Sequence, residues 1–289
     1  MSENLSVKTF FHEPTNTATH VAWCPATGRV AIIDSVLDFC HKSGRTDTAS
    51  AQQVADWVEA EGLTVEWILE THAHADHLSA APWLNQRLGG RIGIGAHIVD
   101  VQKVFTDVFN AGDGFHTNGS QFDRLFEDGD TFAIGNVPTR VMHTPGHTPA
   151  CVTYVAGDAA FVGDTIFMPD YGSARCDFPD GDARTLYRSV HRIFELPDET
   201  RLFLCHDYKA PGRDAFAWQT TVGDERQKNI HLRDGVSEDD FVEMRTTRDK
   251  TLQTPLLMIP SIQVNMRAGH LPPAEDNGVT YLKVPVNQL

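Results

Sequence analysis

Apolar residues in the first 110 positions follow two alternating patterns. Short apolar runs predict strands at 7–12, 19–23, 30–34, 65–69 and 91–95. Apolar residues three to four positions apart predict helices at 50–61, 78–88 and 96–109. Ser50 is a candidate N-cap of the first helix, and a polar loop is predicted at 41–49. Strands that alternate with helices in this way are typical of an α/β fold.

The pattern changes after residue 120, where short strands follow one another directly. These strands are predicted at 131–134, 139–143, 151–156 and 159–163. A helix at 182–195, with Asp182 as its candidate cap, and a strand at 201–205 come next. An acidic helix near 238–248 and an extended, proline-marked tail end the sequence. Because no clear linker interrupts the pattern, we predict one domain over 1–289, with a core of about 1–222 and a C-terminal elaboration of about 223–289.

Composition excludes several classes of protein. The 289 residues include 24 Lys and Arg and 39 Asp and Glu, a net charge of −15, which disfavours nucleic acid or an anionic membrane as partner. The five cysteines form no C-x-x-C pair, which argues against a disulfide framework and a structural zinc ribbon. No apolar run is long enough to span a bilayer. We therefore expect a soluble, cytoplasmic protein, and a homo-oligomer is left open.

The densest group of chemically active residues follows the strand at 65–69. Residues 71–77 read Thr-His-Ala-His-Ala-Asp-His, so that His72, His74, Asp76 and His77 lie within six residues. Imidazoles and carboxylates are ligands that transition metals take in proteins. The alternative is a polar loop with hydrogen-bonded histidines, but the H-x-H-x-D-H spacing favours a metal site.

Three further residues are candidates to complete this site. His147 follows a predicted strand in Thr-Pro-Gly-His, Asp164 ends the run Phe-Val-Gly-Asp, and His206 comes directly after the strand at 201–205. Each lies at the carboxyl end of an apolar run, which is where α/β sheets place their functional groups. Taken singly each residue fits a structural role, but together with the first motif they indicate ligands.

This series of motifs, in order and spacing over roughly residues 8–210, resembles the ligand series of the metallo-β-lactamase fold superfamily. The resemblance implies an αββα sandwich, with the metal site at one edge between two sheets. The superfamily includes many chemistries, so the fold alone does not identify the reaction.

Narrower features resemble the persulfide (sulfur) dioxygenase branch, or the bacterial β-lactamase-like hydrolases related to it. They are the Arg-x-Asp-Phe run at 175–178, the Thr-Leu-Tyr-x-Ser-Val helix at 185–190 and His-Asp-Tyr at 206–208. The tail at 260–265 and the longer spacing before His147 depart from the short mitochondrial members. The dioxygenase resemblance implies one non-haem Fe(II) per chain, and oxidation of a glutathione-linked persulfide by O2 to sulfite.

The same resemblance assigns roles to individual residues. It implies iron ligation by His72, His147 and Asp164, a set that leaves coordination positions open for substrate and O2. His74, Asp76, His77 and His206 would then hydrogen-bond ligands or a metal-bound water, with Asp76 and His77 as candidate catalytic residues.

Two residues beyond the ligand series are candidates for substrate contact. Arg175 is the candidate for binding a substrate carboxylate, because its guanidinium forms bidentate pairs; the alternative is a salt bridge with Asp177 or Asp180. Tyr208, next to His206, is a candidate substrate-binding and catalytic residue, or else a buried core tyrosine. Cys176 and Cys205 adjoin these residues, but isolated cysteines are more often small buried hydrophobes.

Two other functions stay open. A glyoxalase II-type thioester hydrolase would use two metal ions, such as Zn²⁺, and all seven candidate ligands, each of which is present. A metal-binding or sensor module without turnover is the alternative outside the enzymes. The metal itself separates oxygenation from hydrolysis, because iron is redox-active and zinc is not.

Overall fold

A computed structural model describes residues 4–288, so the first three residues and the last residue of the predicted domain lie outside it. Its strands, in chain order, are β1 (Ser6–His12), β2 (Thr17–Cys24), β3 (Arg29–Ile33), β4 (Val36–Cys40), β5 (Arg45–Asp47), β6 (Thr64–Leu69), β7 (Leu78–Ser79), β8 (Arg91–Gly95), β9 (Arg124–Phe126), β10 (Thr131–Ile134), β11 (Val137–His143), β12 (Val152–Ala156), β13 (Ala159–Phe161), β14 (Arg201–Phe203) and β15 (Gln219–Thr221). The helices are α1 (Ala49–Ala60), α2 (Ala81–Leu88), α3 (Ile98–Phe109), α4 (Ala183–Ile193), α5 (Val222–Lys228), α6 (Glu238–Asp249) and α7 (Met258–Asn265).

Two six-stranded sheets form the centre of the fold. The first has the strand order β1-β2-β3-β6-β8-β9, and its pairs from β3 to β9 are parallel. The second has the order β10-β11-β12-β13-β14-β15, in which only β13 and β14 pair in parallel. A small third sheet pairs β4 with β5 on one side and with β7 on the other.

The two large sheets pack face to face because their strands are apolar on both sides. In β3, Ala31 and Ile33 pack between the sheets, whereas Val30 and Ile32 pack beneath the helices of the outer layer. Helices α1, α2 and α3 cover the first sheet, while α4 and α6 cover the second. The order helix, sheet, sheet, helix is the αββα sandwich, so the fold class expected from the sequence is confirmed.

The strands that precede the candidate ligands end at one edge of the sandwich. β3 and β6 run in parallel in the first sheet. β11, β13 and β14 share one direction in the second sheet, since β11 and β13 are both antiparallel to β12 and β14 is parallel to β13. A hydrogen bond from the Ala18 amide to the Cys205 carbonyl (2.7 Å) joins the two sheets here. The fold thereby gathers side chains from distant segments at this edge.

The C-terminal elaboration packs on both sides of the sandwich. Phe241 of α6 lies in the core shared with α4 and β14. Met258 and Ile262 of α7 lie in the opposite core, with residues of α1, α2 and α3. The elaboration therefore has no separate core of its own in the described residues.

Residues 4–288 contain no helix long and apolar enough to cross a membrane.

Several local expectations need correction. The helix predicted at 78–88 begins as strand β7, because Leu78 and Ser79 pair with β4, and α2 starts only at Ala81. The loop predicted at 41–49 contains β5, which forms a hairpin with the unpredicted strand β4. The predicted extended tail contains α7. The elements β9, β15 and α5 were also missed, because each is short, and β15 and α5 consist mainly of polar residues.

Of the two predicted helix caps, one is confirmed and one is wrong. Asp182 caps α4, since its carboxylate accepts the Thr185 amide at 2.7 Å, as predicted. Ser50 is not the cap of α1: Thr48 occupies that position, and the Ser50 hydroxyl donates instead to Asp38 at 2.8 Å.

Candidate metal centre

The loop after β6 is fixed by a buried carboxylate at the end of β3. Asp34 accepts hydrogen bonds from the Thr71 amide (2.8 Å), the Thr71 hydroxyl (2.9 Å) and His74 Nε2 (3.0 Å). Its backbone has a φ of 54°, a conformation that Asp tolerates better than most residues. Asp34 therefore orients the second histidine of the motif and anchors the start of the loop.

Each histidine of the site is held through one ring nitrogen. His72 Nδ1 donates to the Thr71 hydroxyl (3.1 Å), which itself donates to Asp34. His147 Nδ1 donates to the Arg175 carbonyl at 2.8 Å, and His206 Nδ1 donates to the Asn16 carbonyl at 3.1 Å. A carbonyl only accepts, so these bonds leave Nε2 of both rings with a free lone pair.

Four histidines and two aspartates of the site each have one buried nitrogen or oxygen atom without a hydrogen-bond partner in the described part of the chain. They are His72 Nε2, His74 Nδ1, Asp76 Oδ2, His77 Nε2, Asp164 Oδ1 and His206 Nε2. Buried polar atoms in native proteins nearly always have a partner. Six such atoms, all imidazole nitrogens or carboxylate oxygens at one edge of the sandwich, fit one or two bound cations. The donor set is the one that iron and zinc accept.

The seven sequence-predicted ligands divide into two groups of mutually close donor atoms. His72, His147 and Asp164 bring their donor atoms within 4.8 Å of one another. The second group meets the same limit and consists of His74, Asp76, His77 and His206. Asp164 Oδ1 also lies 3.3 Å from His206 Nε2, so this carboxylate stands between the groups. The structure thus brings together every residue of the predicted ligand series.

Burial and neighbouring charges shift the pKa values of these groups in opposite directions. Burial lowers the pKa of His72 well below its ordinary value and lowers that of His77 to about 4. Burial also disfavours a charged His74, but the charges and hydrogen bonds of Asp34 and Glu70 outweigh it and raise the pKa of His74. The neutral imidazoles of His72 and His77 have the protonation state that ligation requires.

A cavity of about 930 Å³ opens over the ligands. Asp76, His147 and Asp164 line its inner end, and the β4–β5 hairpin and residues 252–257 form its outer walls. A cavity of this size accommodates a ligand of a few hundred daltons. The candidate metal centre is therefore accessible from one side to a small molecule.

Tyr208 and Arg175 both line this cavity, but only Arg175 already has a side-chain hydrogen-bond partner among the described residues. The Tyr208 ring stacks on the His206 ring, with centroids 5.8 Å apart, and its hydroxyl has no hydrogen-bond partner within residues 4–288. Arg175 instead pairs with Asp177 through Nε (2.6 Å) and Nη2 (2.7 Å). The salt bridge weighed as an alternative is thus present, and a substrate carboxylate would have to share this guanidinium or displace Asp177.

The two cysteines near the site are enclosed. Cys205 is 1% exposed and Cys176 is 6% exposed. Burial raises the pKa of both thiols, which keeps them protonated and poorly nucleophilic. The structure therefore places them as small buried side chains.

Some residues that support the site were missed in the sequence. Asp34 was available as a signal, because an acidic residue ends the buried strand at 30–34. Asn265 and Asp249 gave none, since they lie in the C-terminal elaboration. Asp249 accepts the Cys176 amide at 2.9 Å, next to the carbonyl that orients His147, and Asn265 contacts the loop of the first motif.

Comparison with known proteins identifies the family. The sequence model of the Metallo-beta-lactamase superfamily matches residues 26–206. A protein of Burkholderia pseudomallei that carries the name probable metallo-hydrolase is 57% identical over 99% of this chain and 100% of its own length. The beta-lactamase hydrolase-like protein of Agrobacterium fabrum is 51% identical over 98% of the chain, which spans only 65% of that protein.

The chain is also similar, at lower identity, to persulfide dioxygenases. The mitochondrial persulfide dioxygenase of Bos taurus is 31% identical over 91% of this chain and 88% of its own length. The crystal structure of ETHE1 from Myxococcus xanthus superimposes with a TM-score of 0.72 at 27% identity, and covers 92% of this chain and 100% of that one. Residues 26–206, which match the family model, contain all seven candidate ligands. The chain belongs to the metallo-beta-lactamase superfamily.

Proposed function

We propose that this protein is an iron-dependent persulfide dioxygenase. It would oxidise a persulfide of glutathione, or of a related small thiol, according to RSSH + O2 + H2O → RSH + H2SO3. The observation that carries the proposal is the group of His72, His147 and Asp164 at the inner end of the cavity. Two imidazoles and one carboxylate with open positions are typical of non-haem Fe(II) oxygenases.

Iron in this group would supply redox chemistry and positions for the persulfide and O2. The protein's own residues would control access and orientation. The Arg175 carbonyl holds the His147 ring in place, so that Nε2 points towards Asp164, whose Oδ2 lies 3.7 Å away. Asp76 Oδ2 and His77 Nε2 are unpartnered, and we assign them to hydrogen-bond a water or the substrate. The Tyr208 hydroxyl is free to hydrogen-bond the substrate from the cavity wall.

The charges around the cavity support an anionic substrate. Besides the candidate ligands Asp76 and Asp164, two carboxylates within residues 4–288 line the cavity, and both accept local hydrogen bonds. Asp38 accepts from Ser50, and Asp47 accepts from the amides at the start of α1. Arg45 and Arg248 are exposed at the wall and have no carboxylate partner within the described residues. Their positive charge would attract the carboxylates of a peptide thiol such as glutathione, although the whole protein is acidic.

Metal analysis combined with O2 uptake tests the proposal. Protein purified without air after growth in iron should contain one iron per chain and consume O2 with glutathione persulfide. Activity restored by zinc alone, or no O2 uptake by the iron-loaded protein, would contradict the proposal. Zinc found in protein from iron-poor growth would not bear on it, because such a site binds available zinc.

A thioester hydrolase of the glyoxalase II type is the second candidate. The second group, His74, Asp76, His77 and His206, favours it, because two adjacent donor groups suit two metal ions. Protein loaded with two equivalents of zinc and assayed with a glutathione thioester tests this reading. Hydrolysis without O2 uptake would replace the first proposal, whereas bound metal without either reaction would favour a sensor.

A further inference from the structure

Helix α7 ends next to the loop that carries the first ligand motif. Asn265, its last residue, is 5% exposed and lies almost 190 positions beyond that loop in sequence. The side-chain amide donates through Nδ2 to the His74 carbonyl (2.8 Å) and to the His77 carbonyl (2.8 Å). Its Oδ1 accepts the Ser79 amide, also at 2.8 Å.

These three bonds use the amide in the only orientation that the partners allow. Carbonyl oxygens accept and the Ser79 amide donates, so Nδ2 must face His74 and His77. The amide therefore spans the second half of the motif and fixes its path from residue 74 to residue 79. Asn265 belongs to the C-terminal elaboration, whereas its three partners belong to the core of about 1–222, so this contact ties the elaboration to the ligand loop.

The same network reaches the His74 ring from the other side. The Ser79 hydroxyl donates to Glu70 Oε1 at 2.6 Å, and Glu70 Oε2 lies 3.2 Å from His74 Nε2. The His74 ring contacts the His72 ring, with centroids 4.1 Å apart. A shift of the backbone at residue 74 would therefore move the His72 and His74 rings together.

We propose that Asn265 is a positioning residue of the metal centre, through which the C-terminal helix sets the geometry of the H-x-H-x-D-H loop. The proposal concerns the loop and is independent of the reaction. Removal of residues that orient metal ligands typically weakens metal binding about 10- to 100-fold. We expect Asn265 to act on metal retention in that range, although it contacts no ligand atom.

The chain offers a matched control on the same helix. Gln263 is 3% exposed and also makes three hydrogen bonds, to the Ile259 carbonyl and to the amide and carbonyl of Lys283. None of them reaches the ligand loop. Asn265→Leu and Gln263→Leu thus each remove three side-chain hydrogen bonds from one helix, but only the first change touches the loop.

The test uses the full chain loaded with Co²⁺ alone. Three quantities are measured: the visible absorption spectrum, the rate of metal loss to a chelator and the melting temperature. Asn265→Leu should alter the spectrum and release Co²⁺ about 10- to 100-fold faster. Both leucine variants should have a lower melting temperature than the wild type. Gln263→Leu, however, should keep the wild-type spectrum and release Co²⁺ at a rate within about twofold of the wild-type rate.

Asn265→Ser gives a second variant in case the leucine variant does not fold. Its hydroxyl can donate to only one of the two carbonyls, so Co²⁺ release should be faster than in the wild type, and the spectrum should change. A wild-type spectrum and release rate in the serine variant would overturn the proposal. Equal changes in spectrum and release for Asn265→Leu and Gln263→Leu would also overturn it, since the role would then be structural only.

Discussion

Substitution of Arg175 tests how the cavity recognises its substrate. A guanidinium has five N–H groups, of which Arg175 uses two on Asp177 and one on the Gln253 carbonyl (2.7 Å). Two N–H groups, on different nitrogens, are left for a substrate carboxylate. A hydrogen bond to a charged group contributes about 1.5–3 kcal/mol, and partial solvent access at Arg175 favours the lower end. At about 1.4 kcal/mol per factor of ten, we expect loss of this contact to raise KM roughly tenfold.

The single variant Arg175→Ala would overstate this effect. It leaves the Asp177 carboxylate unpaired next to the cavity, where it repels an anionic substrate. We therefore expect a larger KM increase in Arg175→Ala, up to about 150-fold, than in the double variant Arg175→Ala/Asp177→Ala. Asp177→Asn alone frees the guanidinium and should leave KM unchanged or lower it.

The assay is steady-state O2 uptake with glutathione persulfide at matched iron content. The dissociation constant of S-methylglutathione, measured by calorimetry, should rank the variants in the same order as KM and requires no reaction. A double variant with wild-type KM and wild-type binding would refute a direct contact, and Arg175 would then only neutralise Asp177. Iron content should stay at the wild-type level in all variants, because the His147 ring is held by the Arg175 main chain.

Three more predictions follow from the ligand groups, a buried acid and an exposed thiol. His72→Ala should abolish iron binding and O2 uptake, whereas His74→Ala should lose turnover but keep most of its iron; equal metal loss by elemental analysis would favour the dinuclear site. Burial raises the pKa of Glu225 from 4.5 to about 8, so the folded protein holds a proton that the unfolded chain releases between these values. The free energy of unfolding should therefore fall by about 1.4 kcal/mol for each unit by which the pH rises within that window. Urea titrations of Glu225→Gln at several pH values should lack this slope. Cys40 is exposed, and hydrogen bonds from Ser43 lower its pKa, whereas the other four cysteines are buried. Iodoacetamide should modify the native protein at this thiol first, and rapid native labelling that persists in Cys40→Ser would contradict the burial of the rest.

Local sequence patterns determined most of the regular elements of this protein. Strands such as β8 and β10 were predicted at their observed bounds, because an apolar run between turn residues has few alternatives. The cap of α4 followed from Asp182, whose bond to residue 185 is local. The ligand series could be found for the same reason, since H-x-H-x-D-H is a short motif at a strand end.

Elements that depend on distant partners could not be predicted in this way. β7 has two residues, and only pairing with β4 makes it a strand. The tail was expected to be extended because prolines mark it, but burial of Met258 and Ile262 in the core shared with α3 stabilises α7 there. Packing across the fold outweighed local propensity at both places.

The tertiary structure alone decided how the site is assembled. The family resemblance separated His72, His147 and Asp164 from the other four candidate ligands, but only the folded chain brings the donor atoms of each group within 4.8 Å of one another. The sequence left Arg175 open between a substrate carboxylate and a salt bridge, and the fold pairs its guanidinium with Asp177 and with the Gln253 carbonyl. Asn265 had no local signature, because a hydrogen bond to His74 forms only after α7 docks. Ligand identity is a property of short motifs, but orientation and availability depend on long-range contacts, which a sequence does not display.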